Sequence, residues 1–214
     1  MKSAEAPLPQ YREGESTTTL YVVRSLGVDP VTGKEVYLKR DGTKTFVWNA
    51  NDKVPVGDTN PKISGTLSTS INWKDFSCSL GFTYKYGGVV YNQTLVDKIE
   101  NQNVAYNLDE RAGKGRWEKP GDVTRFVGFS PTGANTPAST RFIMDDNEIR
   151  FATFNVGYRF NAERFKFLRQ ANIDVVALNF TTNDIARISP IKMERGLDYP
   201  FARSYTLSLS IMFR

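Results

Sequence analysis

No histidine occurs in the 214 residues, and Cys78 is the only cysteine. These two counts remove most nucleophilic chemistry. Ser-His-Asp and Cys-His sites and His-ligated zinc all need imidazole. An internal disulfide, a CxxC redox pair and a thiolate cluster all need a second thiol. Cys78 itself reads as a small hydrophobe. The acidic cluster Asp145, Asp146 and Glu148 offers the oxygen ligands that calcium takes. It lacks the one-three-five spacing of a calcium loop and reads as a solvated hairpin tip. Asp109 and Glu110 have no partner carboxylate that the sequence places at a glycosidase separation, and no Ser/Lys frame is present. Catalytic residues, cofactor and metal are therefore all read as none, and the chain is not read as an enzyme. Binding character remains at Tyr91, Asn92, Tyr106, Arg116 and Trp117, aromatics flanked by polar groups that suit stacking on a sugar ring, holding a peptide or meeting a partner protein. The alternative for Trp117 is that it anchors a small core within its own loop.

The elements that must position these residues show a period of two. Over 76–86, Phe76, Cys78, Leu80, Phe82, Tyr84 and Tyr86 alternate with Ser77, Ser79, Gly81, Thr83 and Lys85. Tyr205, Leu207, Leu209, Ile211 and Phe213 alternate with Ser204, Thr206, Ser208, Ser210 and Met212. Strands with one apolar and one small polar face are implied. Residues 63–73 and 150–160 read the same way, though Phe151 falls on the polar parity of the second, and 172–180 is a strand of ambiguous parity. The links are unequal. Trp73-Lys74-Asp75-Phe76 is a tight reversal and 161–171 is moderate, whereas 87–148 and 181–201 are long. Long links of this kind are usually functional. Leu95, Val96 and Ile99 have helical spacing within 92–111, which suggests a short helix, placed against the rim if the strands close into a barrel. Antiparallel strands bring both long links to one side.

Charge says less. Lys and Arg number 28 against 23 Asp and Glu, a net +5, and the basic residues are scattered, so nucleic acid is not an expected partner. No apolar run is long enough for a transmembrane helix, and the first residues lack the apolar core of a secretory signal. Alternating strands occur both in soluble β-sandwiches and in transmembrane barrels, whose strands show apolar residues to lipid and carry aromatic girdles. Two details favour the barrel. The polar parity is Ser, Thr and Gly rather than Lys and Glu, and the last strand ends on an aromatic, Phe213.

Several segments, in order, resemble the C-terminal part of SusC/RagA-type TonB-linked outer-membrane transporters of Bacteroidota. Ser25-Leu26-Gly27-Val28-Asp29-Pro30-Val31-Thr32-Gly33 is similar to that family's loop before a small strand pair. Val56-Gly57-Asp58-Thr59-Asn60-Pro61-Lys62 resembles its entry to a barrel strand, and Asp75-Phe76-Ser77-Cys78-Ser79-Leu80 the strand that follows. Tyr86-Gly87-Gly88 with Tyr91-Asn92 resembles its exit into an outer loop, and Arg116-Trp117 with Pro120-Gly121-Asp122 a motif within that loop. Glu148-Ile149-Arg150 with Asn155-Val156-Gly157-Tyr158, and Asp198-Tyr199-Pro200 with Arg203-Ser204-Tyr205-Thr206, resemble the later strands. The usual "NLfT" reads Asn179-Phe180-Thr181.

The resemblance implies an all-β fold: antiparallel transmembrane β-barrel strands with long outer loops and short turns, a C-terminal fragment of a large TonB-dependent barrel. Such a barrel has roughly 22 strands, of which this chain would supply about five to seven. Residues 1–61 are expected to be an outer-loop segment with a small strand pair, and 62–214 barrel strands with the long outer loop 87–148. The implied role is nutrient import at the cell outer membrane, with oligosaccharide or peptide cargo. The implied partners are a SusD-like surface lipoprotein, outer-membrane lipid and the TonB complex, the last reached through parts absent from this chain. Tyr91, Asn92, Tyr106, Arg116 and Trp117 would then touch cargo or the lipoprotein lid. Tyr205, Leu207, Leu209, Ile211 and Phe213 would form the barrel assembly signal. The alternative is a soluble β-rich carbohydrate-binding or adhesion module.

Overall fold

A computed structural model describes residues 11–102, 105, 108–130, 135–192 and 203–214. In chain order the strands are β1 Thr19–Val28, β2 Glu35–Leu38, β3 Lys44–Thr45, β4 Lys53–Asp58, β5 Ile63–Trp73, β6 Phe76–Tyr86, β7 Val89–Tyr91, β8 Ile143–Asp145, β9 Glu148–Asn161, β10 Ile173–Ile188 and β11 Tyr205–Phe213. The chain forms two compact units. One combines Met1–Pro61 with Gly88–Asp145, the other Lys62–Gly87 with Asp146–Arg214.

In the first unit, where the sequence suggested a small strand pair, four antiparallel strands form a sheet in the order β3-β2-β1-β4. Its centre is Leu20-Tyr21-Val22-Val23, four consecutive buried residues of β1. A continuous apolar run marks a strand covered on both faces rather than one, so a search for alternation passes over it. The core joins Leu20 and Val22 to Tyr91, Val96, Ile99, Ala112, Phe126, Ala138 and Phe142. The expected helix is present as α1, Gln93–Leu95, which continues as one π-type turn over Val96–Glu100. Its apolar residues lie in this core, where Val96 and Ile99 are fully buried.

The second unit is a five-stranded antiparallel sheet in the order β11-β10-β9-β6-β5. The reversal at Lys74 and Asp75 uses a left-handed residue, Lys74 at φ 55. Asp75 braces that end of the sheet: its carboxylate accepts from Asn161 Nδ2 at 2.6 Å and pairs with Arg164, and its carbonyl accepts from the Arg159 amide at 2.9 Å. The link 161–171 carries a short helix, α2 Lys166–Gln170. The last long link is shorter than the sequence suggested, because β10 runs on to Ile188. Thr181–Ile188 was hidden by a bulge. Asn183 pairs with Thr153 and Ala186 with Phe151, leaving Asp184, at φ 53, and Ile185 out of register opposite Ala152. The same irregularity explains the odd parity of Phe151. β6 pairs Gly81 with Thr153 but Phe82 with Phe151, so skipping Ala152 turns Phe151 and Ile149 to the other face. The segment 193–202, with Asp198-Tyr199-Pro200, and Tyr106 lie outside the described residues.

Candidate functional site

Residues directly opposite in an antiparallel register share a face, and the registers sort the five-stranded sheet into two chemistries. One face carries the files Trp73–Phe76–Tyr158–Leu178–Leu209 and Ile71–Cys78–Val156–Phe180–Leu207. Phe82 stacks on Phe151 at 4.7 Å between centroids, Phe154 meets both Phe151 and Phe180 edge-on, and Phe180 stacks on Tyr205. The face is uncovered: Trp73 is 66% exposed, Leu207 67% and Leu209 62%. The opposite face carries Asn72–Ser77–Gly157–Asn179–Ser208 and Ser70–Ser79–Asn155–Thr181–Thr206. There a Cβ on Gly157 would lie 2.5 Å from Asn179 Oδ1 and 2.6 Å from Ser77 Oγ, so glycine lets the two polar side chains close over the backbone.

Towards the end of the sheet where the long links leave, this polar face becomes charged. Glu148 is buried, not at a solvated hairpin tip, because it opens β9 directly opposite Lys85. Its Oε1 accepts from Arg150 Nε at 2.9 Å and its Oε2 from Arg187 Nε at 2.6 Å. Lys85 Nζ donates to Asp146 at 2.6 Å and lies 3.9 Å from Glu148. Three cations thus satisfy two carboxylates. Among the described residues, no group of three or more His, Cys, Asp or Glu could hold a metal ion.

In the first unit, four of the residues expected to touch cargo, Tyr91, Asn92, Arg116 and Trp117, make contacts within the protein. Tyr91 is a core residue. Asn92 caps α1, its side chain accepting from the Leu95 amide at 3.1 Å. Arg116 is buried and spends its guanidinium on the carbonyls of Ala112, Ile99, Glu100 and Val127. Trp117 is half-buried, and its Nε1 donates to Pro30 O at 2.9 Å. Its ring fills the notch at Gly33, where any Cβ would collide with it. Tyr91 and Arg116 are thus both buried, 8% and 5% exposed. The turn after Trp117 is closed by Asp122, whose carboxylate accepts from the amides of Glu118 and Lys119. Asp29 does the same for its own loop through Thr32, which holds its carboxyl below the usual range.

Sequence reasoning missed the charged centre of this unit. Arg141 Nη2 donates to Glu35 at 2.7 Å and to Glu100 at 2.6 Å, and its Nη1 donates to Arg125 O at 2.8 Å. Ser139 and Tyr37 add hydrogen bonds to Glu35. Burial pushes the Glu100 carboxyl up, with Arg141 and Arg116 pulling it part of the way back. Burial also opposes the charge of Arg141, but Glu35 and Glu100 outweigh it and hold the guanidinium protonated. The partners are 106 and 41 residues from Arg141 along the chain, so no local pattern announces them.

No family model matches the chain. It is 23% identical over 138 residues to TonB-dependent receptor P39 of Formosa agariphila, covering 64% of this chain and 13% of that protein. To TonB-dependent receptor P3 of the same organism it is 23% identical over 247 aligned positions, covering 94% and 23%. By sequence the chain is similar to TonB-dependent receptors. The fold agrees. The RagAB peptide importer in its open-open state superposes with a TM-score of 0.68 at 18% identity, over 91% of this chain and 22% of that one. The closed-closed state gives 0.67 at 18% identity over 95% and 25%. The chain thus spans a quarter or less of the length of these relatives, which are receptors and importers and not enzymes. The antiparallel sheet is that of a TonB-dependent barrel segment, open at both edges among the described residues.

Proposed function

We propose that this chain is wall and loop structure of an outer-membrane TonB-dependent nutrient importer. Its apolar face meets lipid, its polar face lines the lumen, and its cargo is an oligosaccharide or a peptide. A SusD-like surface lipoprotein is its partner on the long-link side. The observation that carries this reading is the cross-strand register, which gathers Phe, Leu, Ile and Tyr from five strands onto one uncovered face. Spanning a bilayer takes about 9–11 tilted residues. β5, β6 and β11 have 11, 11 and 9, whereas β9 and β10, with 14 and 16, extend past the hydrocarbon. A soluble sandwich would cover this face with a second sheet.

Tyr205, Leu207, Leu209, Ile211 and Phe213 lie on β11, the sheet's last strand, with one edge unpaired among the described residues. An open edge of this kind can add to another sheet, which suits an assembly signal. Phe213→Ala should lower the outer-membrane level while leaving uptake per assembled molecule unchanged. Cell fractionation tests the whole reading. Recovery with outer membranes and release only by detergent is expected, and recovery as an aqueous monomer would overturn it.

A further inference from the structure

The charged end of the polar face holds a cavity of about 300 Å³. Arg187, Lys192 and Arg203 line it together with Ser189, Ile185 and Ile191, and none of the described lining residues carries a carboxylate. The volume is at the lower end of ligand pockets, about 300–1,000 Å³. Arg187 is fixed before any ligand arrives: its side chain is 13% exposed, its Nε is held by Glu148 and its Nη1 by Ile191 O at 3.1 Å. Glu148 cannot neutralise it fully, because the same carboxylate also serves Arg150 and Lys85. Lys192 and Arg203 have no acidic partner among the described residues. Lys192 and Arg203 are exposed, so an anion entering the cavity meets two accessible cations beside the fixed one.

We propose that this cavity binds a carboxylate group of the cargo. The planar guanidinium of Arg187 offers its remaining N–H groups in the fork geometry that matches a carboxylate, while Lys192 adds a point charge. Ile185 and Ile191 supply an apolar wall for the ring or methylene carrying that group. A lipid headgroup does not suit the site, because Arg187 projects from the polar face, opposite Arg150 in the register. The carboxylate comes either from an acidic sugar or from an acidic peptide. The inference rests on the importer reading only for cargo passing along this face.

Binding of tri-galacturonate, neutral galactotriose, tri-glutamate and tri-alanine amide to the whole protein purified in detergent is the test, read by calorimetry at low salt. One acidic probe should bind, its neutral counterpart should not, and which acidic probe binds identifies the source. The double variant Lys192→Gln with Arg203→Gln should weaken binding by about tenfold or more. Ser189→Asp keeps the side-chain acceptor for the Ile191 amide, adds a negative charge and should abolish binding. Equal binding of acidic and neutral probes, or unchanged affinity in both variants, would overturn the proposal while leaving the importer reading intact. Aqueous recovery on fractionation would overturn the importer reading and leave an acid-selective cavity standing.

Discussion

The two units place their apolar residues in opposite ways. In the first, Tyr21, Val22, Val96, Ile99 and Phe142 are fully buried, and even the charges are turned inward, with Arg141 between Glu35 and Glu100. In the second, the large apolar side chains point outward and the hydrogen-bonding residues line the other face. An apolar core surrounded by polar surface is the arrangement for water. An apolar exterior with backbone groups satisfied between strands is the arrangement for hydrocarbon. The difference teaches that a strand's apolar residues follow what its faces meet: both faces of β1 are covered within the first unit, and one face of the second unit's sheet is left uncovered.

The comparison breaks most readily at Arg141. Arg141→Met leaves two buried carboxylates uncompensated and should cost the first unit about 3–5 kcal/mol. Hydrogen exchange at the Leu20–Val23 amides would show it, and adding Glu35→Gln and Glu100→Gln should restore much of the loss. In the second unit the sensitive face is the outer one. Leu209→Arg should cost about 2–4 kcal/mol near the bilayer midplane, and Ser208→Arg, one residue away on the polar face, far less. Denaturant titration in phospholipid vesicles would compare them, and equal costs would refute the face assignment.

A smaller effect separates the units by pH. Burial raises the Glu100 carboxyl pKa. The stability linked to it is therefore fully present below the ordinary carboxylate value and is lost as pH rises through the raised one. Glu100→Gln should gain on the wild type as pH rises across that window, as seen in exchange protection of the first unit. Asp29, Asp41 and Asp58, whose carboxyls are lowered by nearby hydroxyl and amide donors, act in the opposite direction. They lose their contribution as pH falls, and do so equally in both proteins.

The five-stranded sheet was largely legible in the sequence because a period of two is a local signal and a sheet with one apolar face repeats it from strand to strand. β5, β6, β9 and β11 appear close to where alternation places them. Legibility failed where the period breaks. The bulge opposite Ala152 hid the second half of β10 and displaced Phe151, and bulges leave no mark beyond a residue such as Asp184 that tolerates positive φ. The first unit was hardly legible. Its β1 is buried on both faces and does not alternate, and its charged centre joins residues from distant parts of the chain. The motifs that gave the resemblance were found, but the contacts they make in the fold were not legible beyond Trp117 as an anchor of its own loop: Gly33 with Trp117, Asn92 at its helix and Arg116 on four carbonyls join backbone segments. A motif residue's chemistry says what it can bind, and burial decides whether that partner is cargo or the protein's own backbone.

The most direct measurement of the central claim is thiol accessibility along β11 in outer-membrane vesicles from cells producing the protein. With Cys78 replaced by Ser, cysteines placed singly at 207, 208, 209 and 210 would be challenged with a water-soluble maleimide. The expected result alternates: 207 and 209 are protected until detergent is added, while 208 and 210 react from the aqueous side. Uniform reactivity at all four positions, or protection with the opposite parity, would contradict it.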